Sequence, residues 1–120
     1  GWTDTDDYFA AIDRGAPVAM LPVTLPDGAT LCVPNTAAIV RSCRNRPAAE
    51  RLVDYLASAE GELALARSRS RQVPLGPVDN EALPAEVRAL VPAARRGYRF
   101  RTLAASSAAC LQFLKAEYVR

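Results

Sequence analysis

Apolar positions in this chain switch repeatedly between helical spacing and short continuous runs. Tyr8, Phe9 and Ile12 follow the polar opening Thr3-Asp4-Thr5-Asp6-Asp7, and they predict a helix from about Thr3 or Asp4 to Arg14. Gly15 and Pro17 form a sharp stop after it. Thr3 and Asp6 have the spacing of a capping box, with Asp in place of the usual Glu. Asp4, Asp6 and Asp7 fall in the first turn, where carboxylates complement the positive end of the helix dipole. Ala16 to Val23 and Ala29 to Val33 then read as short strands joined by a Pro26-Asp27-Gly28 turn, with Pro22 marking an edge or a strand end. Pro34-Asn35-Thr36 interrupts the second run, and Ala37 to Val40 resumes it.

Helical spacing dominates from there on. Ala49, Leu52, Val53 and Leu56 predict a helix over about Pro47 to Ala57. Ser58 is placed to cap another over Ala59 to Arg67, with Leu63, Ala64 and Ala66 inward. Ser68 to Pro77 reads as a loop with an extended piece at Gln72-Val73-Pro74-Leu75. Pro84 to Val91 predicts a short helix closed by Pro92, followed by an irregular basic stretch from Ala93 to Arg101. A last helix is expected from about Thr102 to Tyr118, with Leu103, Ser107, Leu111, Leu114 and Tyr118 on one face. The expected class is therefore α/β with few short strands. Two strands joined by a tight turn cannot cover that many helical faces. The sheet needs completion by other segments or by a partner chain, and this predicts either self-association through strand edges or a large exposed apolar face.

Composition narrows the choice of chemistry. At 120 residues, half of them apolar, the chain is one domain with enough material for a core. A net charge of +2 is too small to imply nucleic acid as a partner. Lys115 is the one lysine among fifteen basic residues, and the arginines cluster at Arg41, Arg44 and Arg46, at Arg67, Arg69 and Arg71, and at Arg95, Arg96, Arg99 and Arg101. Guanidinium forks suit phosphate, but these clusters also fit solvated loop ends. The sequence has no histidine, so Ser-His and Cys-His nucleophile pairs are excluded within it, and a structural zinc site has no support. Cys32, Cys43 and Cys110 are an odd number, so at least one thiol is free, and their spacing assigns no pairing. Cys32 is expected to act as a small buried hydrophobe. No run reaches the roughly 20 apolar residues of a membrane span, and no signal peptide is visible. The start at Gly1, without an initiating Met, reads as an artificial boundary or as a processed product, and a longer parent is expected.

The acidic opening is where polar groups exceed what a solvated surface needs. It admits helix capping alone, a wall of a ligand cleft, or an Asp-x-Asp pair, Asp4 and Asp6, holding a metal for phosphoryl or glycosyl transfer. A helical interaction module without a ligand is a further alternative. No cofactor is expected.

The order of motifs adds a resemblance. Thr3-Asp4-Thr5-Asp6-Asp7 is followed by Gly15-Ala16-Pro17-Val18-Ala19, then by the run from Ala29 through Val33-Pro34-Asn35-Thr36 to Ile39. Ala49 to Gly61 and Gln72-Val73-Pro74-Leu75 come next. This succession resembles the C-terminal part of the solute-binding proteins of ABC transporters, in their iron(III)-type group. The resemblance implies a two-lobed type II periplasmic-binding-protein fold, with about 1–28 from the second lobe and about 29–120 packing in the first. It implies a non-enzymatic substrate-binding component, periplasmic or a cell-surface lipoprotein, that captures a small solute or a metal ion and delivers it to ABC permease subunits. Thr3, Asp4, Thr5 and Asp6 would then face the ligand cleft. Iron-binding members use tyrosine oxygens there, and Tyr8 is the tyrosine nearby. A small polar solute and iron(III) both remain as ligands.

Overall fold

The structure, a computed structural model, describes residues 1–97 and 106–118. Helices dominate it. They are α1 (Thr5–Asp13), α2 (Arg46–Leu56), α3 (Ala59–Arg67), α4 (Ala85–Arg88), α5 (Val91–Arg95) and α6 (Ser107–Tyr118), with a 3-10 turn at Asn80–Ala82. None of the described helices is long and apolar enough to cross a membrane.

The expected strands do not form among the described residues. The runs 16–23, 29–33, 37–40 and 72–75 form no strand, and the only bridges there are isolated ones, Thr24 with Thr30 antiparallel and Thr30 with Gly97 parallel. A strand exists only when a neighbour pairs its amides, and prolines at 17, 22, 26 and 34 remove donors just where pairing would propagate. The Pro26-Asp27-Gly28 turn is made as expected. Gly28 has φ +82, its N–H donates to Leu25 O at 2.9 Å, and Asp27 Oδ1 accepts from Ala29 N at 3.0 Å.

Local signals account for most helix ends. After α1, Gly15 takes φ +75, its N–H reaches Ile12 O, and Ala16 N–H reaches Ala11 O at 3.0 Å. This Schellman closure needs a residue that tolerates the left-handed region. α2 begins one residue before Pro47, because Asn45 supplies the cap, accepting from Ala48 N at 3.3 Å. α3 has the predicted bounds: Ser58 Oγ accepts from Gly61 N at 3.1 Å and donates to Tyr55 O at 2.7 Å. Pro92 does not close a helix over 84–91. It sits in the first turn of α5, where its missing N–H has no intrahelical partner to lose, so the expected single helix becomes α4 and α5. The expected start of the last helix at Thr102, its inner position Leu103 and the basic residues Arg99 and Arg101 lie outside the described residues.

The core is small and lies toward the C-terminal side. Ala66, Leu83, Val87 and Val91 are buried together, with Leu63, Val73 and Val78 packed against them. Ala64, expected inward, is exposed, because one side of α3 carries the contact through Leu63 and Ala66. α2 has no buried residue and Leu52 on its apolar stripe is exposed. Leu111, Leu114 and Tyr118 of α6 are exposed too, so the expected apolar face of that helix covers nothing among the described residues. The Cα radius of gyration is 17.2 Å, against roughly 14 Å for a compact chain of this length.

Candidate functional site

The acidic opening occupies the head of α1. Asp4 is the N-cap, with φ −98 and ψ 173, and its carboxylate accepts no capping hydrogen bond. Thr3 lies one residue further out, so the Thr3–Asp6 capping box is out of register. The Thr3 hydroxyl instead points to Asp7 Oδ2, at 3.5 Å. Thr3 and Asp4 are exposed, and Thr5 and Asp6 are half-buried. Among the described residues no three His, Cys, Asp or Glu side chains are grouped to hold a metal ion. Cys32, Cys43 and Cys110 are free thiols. Cys32 is half-buried, and its Sγ lies 3.4 Å from the hydroxyl of Thr30.

The segments singled out in the sequence meet at Arg71 and Gln72. Arg71 grips Asp13 at the foot of α1 with both terminal nitrogens, Nη1 to Oδ2 at 2.8 Å and Nη2 to Oδ1 at 2.9 Å. Its Nε donates to Glu86 Oε1 of α4 at 3.1 Å, and its Cζ lies 5.2 Å from the centroid of the buried Phe9 ring. One guanidinium therefore uses both terminal nitrogens, its Nε–H and its flat face at once, a combination lysine cannot reproduce. The adjacent Gln72 accepts from Asn35 Nδ2 at 2.6 Å, which joins Pro34-Asn35-Thr36 to Gln72-Val73-Pro74-Leu75. Arg71 has φ +45, left-handed for a residue with a Cβ, which costs about 1 kcal/mol and persists where side-chain contacts hold it.

Electrostatics follow from that geometry. The hydrogen bond from Arg71 lowers the Asp13 pKa below its ordinary value of 3.8; slight burial opposes this, and the charges of Arg71 and Arg69 reinforce it. Arg71 is raised in turn, first by the hydrogen bond to Asp13, with Glu86 adding to it.

Two further contacts brace the region. Glu62 on α3 accepts from the backbone N–H of Leu75 at 3.1 Å and of Gly76 at 2.9 Å, so a carboxylate fills the place an anion would take at successive amides. The buried Thr30 donates its hydroxyl to Ala93 O and its N–H to Arg96 O, which fixes the turn hairpin to the end of α5. An open groove of about 300 Å³ lies between Pro74-Leu75-Gly76, Asn80 and the α5 residues Ala94 and Arg95. None of Thr3, Asp4, Thr5 and Asp6 lines it.

No family model, curated protein or solved structure matches the chain. The site therefore stands on its residues. Sequence reasoning gave Thr3 to Asp6 as site residues, named Asn35 within a motif and Arg71 only within an arginine cluster, and assigned no role to Glu62 or Thr30. Arg71 had one usable signal, membership of an arginine cluster. Its partner Asp13 is 58 residues away, beyond any local pattern.

Proposed function

We propose that the chain is the C-terminal portion of an ABC-transporter solute-binding protein of two-lobed type II architecture. Its Thr3–Asp6 turn would contribute one wall of the ligand cleft. The observation that supports this reading best is the convergence at Arg71–Gln72. The acidic helix, the Pro-Asn-Thr run and the Gln-Val-Pro-Leu piece carry the resemblance, and hydrogen bonds through these two residues tie them together. Long apolar stretches left uncovered in residues 16–40 and on α2 are consistent with a sheet and lobe completed by other segments. The exposed carboxylate of Asp4 and the Thr3 hydroxyl suit a hydroxyl-rich solute or a cation better than a bare anion. The ligand is then released to permease subunits outside the cytoplasmic membrane.

The test uses the full-length two-lobed protein. Thermal shift against iron(III) complexes and a panel of small polar solutes identifies the ligand, since a solute present at 100 times its Kd adds about 2.7 kcal/mol to stability. D4A and D6A are then titrated with that solute. At least one is expected to weaken binding tenfold or more, and unchanged affinity in both removes Thr3–Asp6 from the cleft. Activity dependent on Mg²⁺ or Mn²⁺ and lost in the same variants would replace the binding reading with a transferase.

A further inference from the structure

α1 is joined to the rest of the molecule in an unusual way. Among the described residues, the only hydrogen bonds between residues 1–22 and the remainder are the two from Arg71 to Asp13. The backbone hydrogen bonds of this segment all stay within it. One side chain of α1, Phe9, is buried, and it lies beneath the same guanidinium. Behind the helix stands Gly15 at φ +75, with no atom within 4 Å of the place a Cβ would take. Residues 16–22 then have no regular secondary structure and form no β-bridge.

We propose that Arg71 is a latch and α1 the strap it holds: residues 1–15 leave the body of the molecule as one unit, turning at Gly15, when the Arg71–Asp13 pair opens. The two sides of the latch are unequal. Glu86 holds Arg71 through Nε, whereas Asp13 uses the two terminal nitrogens. Opening therefore strips Asp13 and Phe9 away while Arg71 stays anchored on α4. The pair is partly open to solvent, with Asp13 at 43 % and Arg71 at 24 % side-chain exposure, so ionic strength reaches it. A released α1 does not persist as a helix. Nine residues are too few to hold one in water without a surface to pack on. Undocking and melting are then one event, and amide exchange reads it. This inference stands on geometry and is independent of what, if anything, the Thr3–Asp6 turn binds.

Hydrogen exchange on the 120-residue chain tests it, with protection factors resolved for α1, α3 and α5. R71Q and D13N are each expected to lower protection in α1 by about fivefold, the scale of a partly exposed ion pair. The double variant should lower it no further, and α3 and α5 should be unchanged in all three. R71K, which keeps the charge but not the fork, should fall between wild type and R71Q. Raising salt to about 1 M, where screening acts within roughly 3 Å, should lower α1 protection in wild type and not in D13N. The proposal is overturned by unchanged α1 protection in both R71Q and D13N. A loss shared equally by α3 and α5 would also overturn it, since that is opening of the whole molecule. D13N alters an exposed position, so it provides the test even where R71Q misfolds.

Discussion

Residues 1–45 and residues 58–97 are both rich in apolar side chains and use them in opposite ways. In the second region Ala66 and Val87 are fully enclosed, and the turns between elements are braced by Glu62 on two backbone amides and by Arg67 on Ala82 O. In the first, Trp2, Val18, Leu21, Val33 and Val40 are exposed, and the irregular runs carry only scattered backbone bonds, such as Leu31 N–H to Val23 O at 2.8 Å. Hydrophobicity is common to both, so it does not decide burial. What differs is how near in sequence the covering surface lies. α3, α4 and α5 follow one another closely in the chain and share one core, while the runs expected as strands carry no more than isolated bridges among the described residues. Where the first region is tied to the second, a few residues do it: Thr30 to Ala93 and Arg96, Asn35 to Gln72, and Asp13 to Arg71.

The largest effect expected in the packed region is at Gly61. A Cβ there would press into the Tyr55 carbonyl, backbone that cannot rotate aside. G61A should destabilise the chain by about 3 kcal/mol, the upper range for overpacking, despite the better helix propensity of Ala. Urea unfolding followed by far-UV circular dichroism measures it. A loss under about 0.5 kcal/mol would mean that the α2–α3 junction is looser than its geometry.

Next comes a paired measurement that addresses the comparison directly. V87A removes two methyl groups from a fully enclosed site and should cost about 2 kcal/mol. L21A removes more apolar volume from a side chain that is 87 % exposed and should stay within about 0.5 kcal/mol. Comparable losses in the two variants would show that the opening region packs in solution against a second copy or another part of the chain. Concentration dependence of the L21A effect would then identify the copy.

These contrasts follow how far the sequence could be read. α3 was legible to the residue because its determinants are local: Ser58 caps it, and a serine bend ends it. α1 was legible through Gly15, although its cap shifted from Thr3 to Asp4, since capping register depends on one residue of backbone geometry. The strands were not. Val, Ile and Leu at 29–40 record a tendency to pair, but pairing needs a neighbour that these residues do not name. The acidic opening was visible as composition, whereas Arg71, which holds the foot of the same helix, was one arginine among fifteen basic residues. Nothing within reach of a local pattern connects it to Asp13.

The smallest effect expected, and the one that probes the weakest tie between the two regions, is the acid response of Asp13. Its carboxyl is lowered from 3.8 by the hydrogen bond from Arg71, with burial opposing and the charges of Arg71 and Arg69 assisting. Glu86 faces the same guanidinium and competes for it, while Arg71 stays charged across the acid range because its own pKa is raised. A carboxyl whose folded value lies below its unfolded one binds more protons when unfolded, so its contribution is fully present above the unfolded value and fades as pH falls through the folded one. Wild type should therefore exceed D13N in α1 protection at pH 6, and the gap should begin to narrow below about pH 3.8 and close as pH falls through the lower folded value. Exchange rates corrected for their intrinsic pH dependence, from pH 6 to pH 2, make the measurement. A gap that persists at pH 2 would assign the Asp13 effect to helix propensity rather than to the charge on which the latch depends.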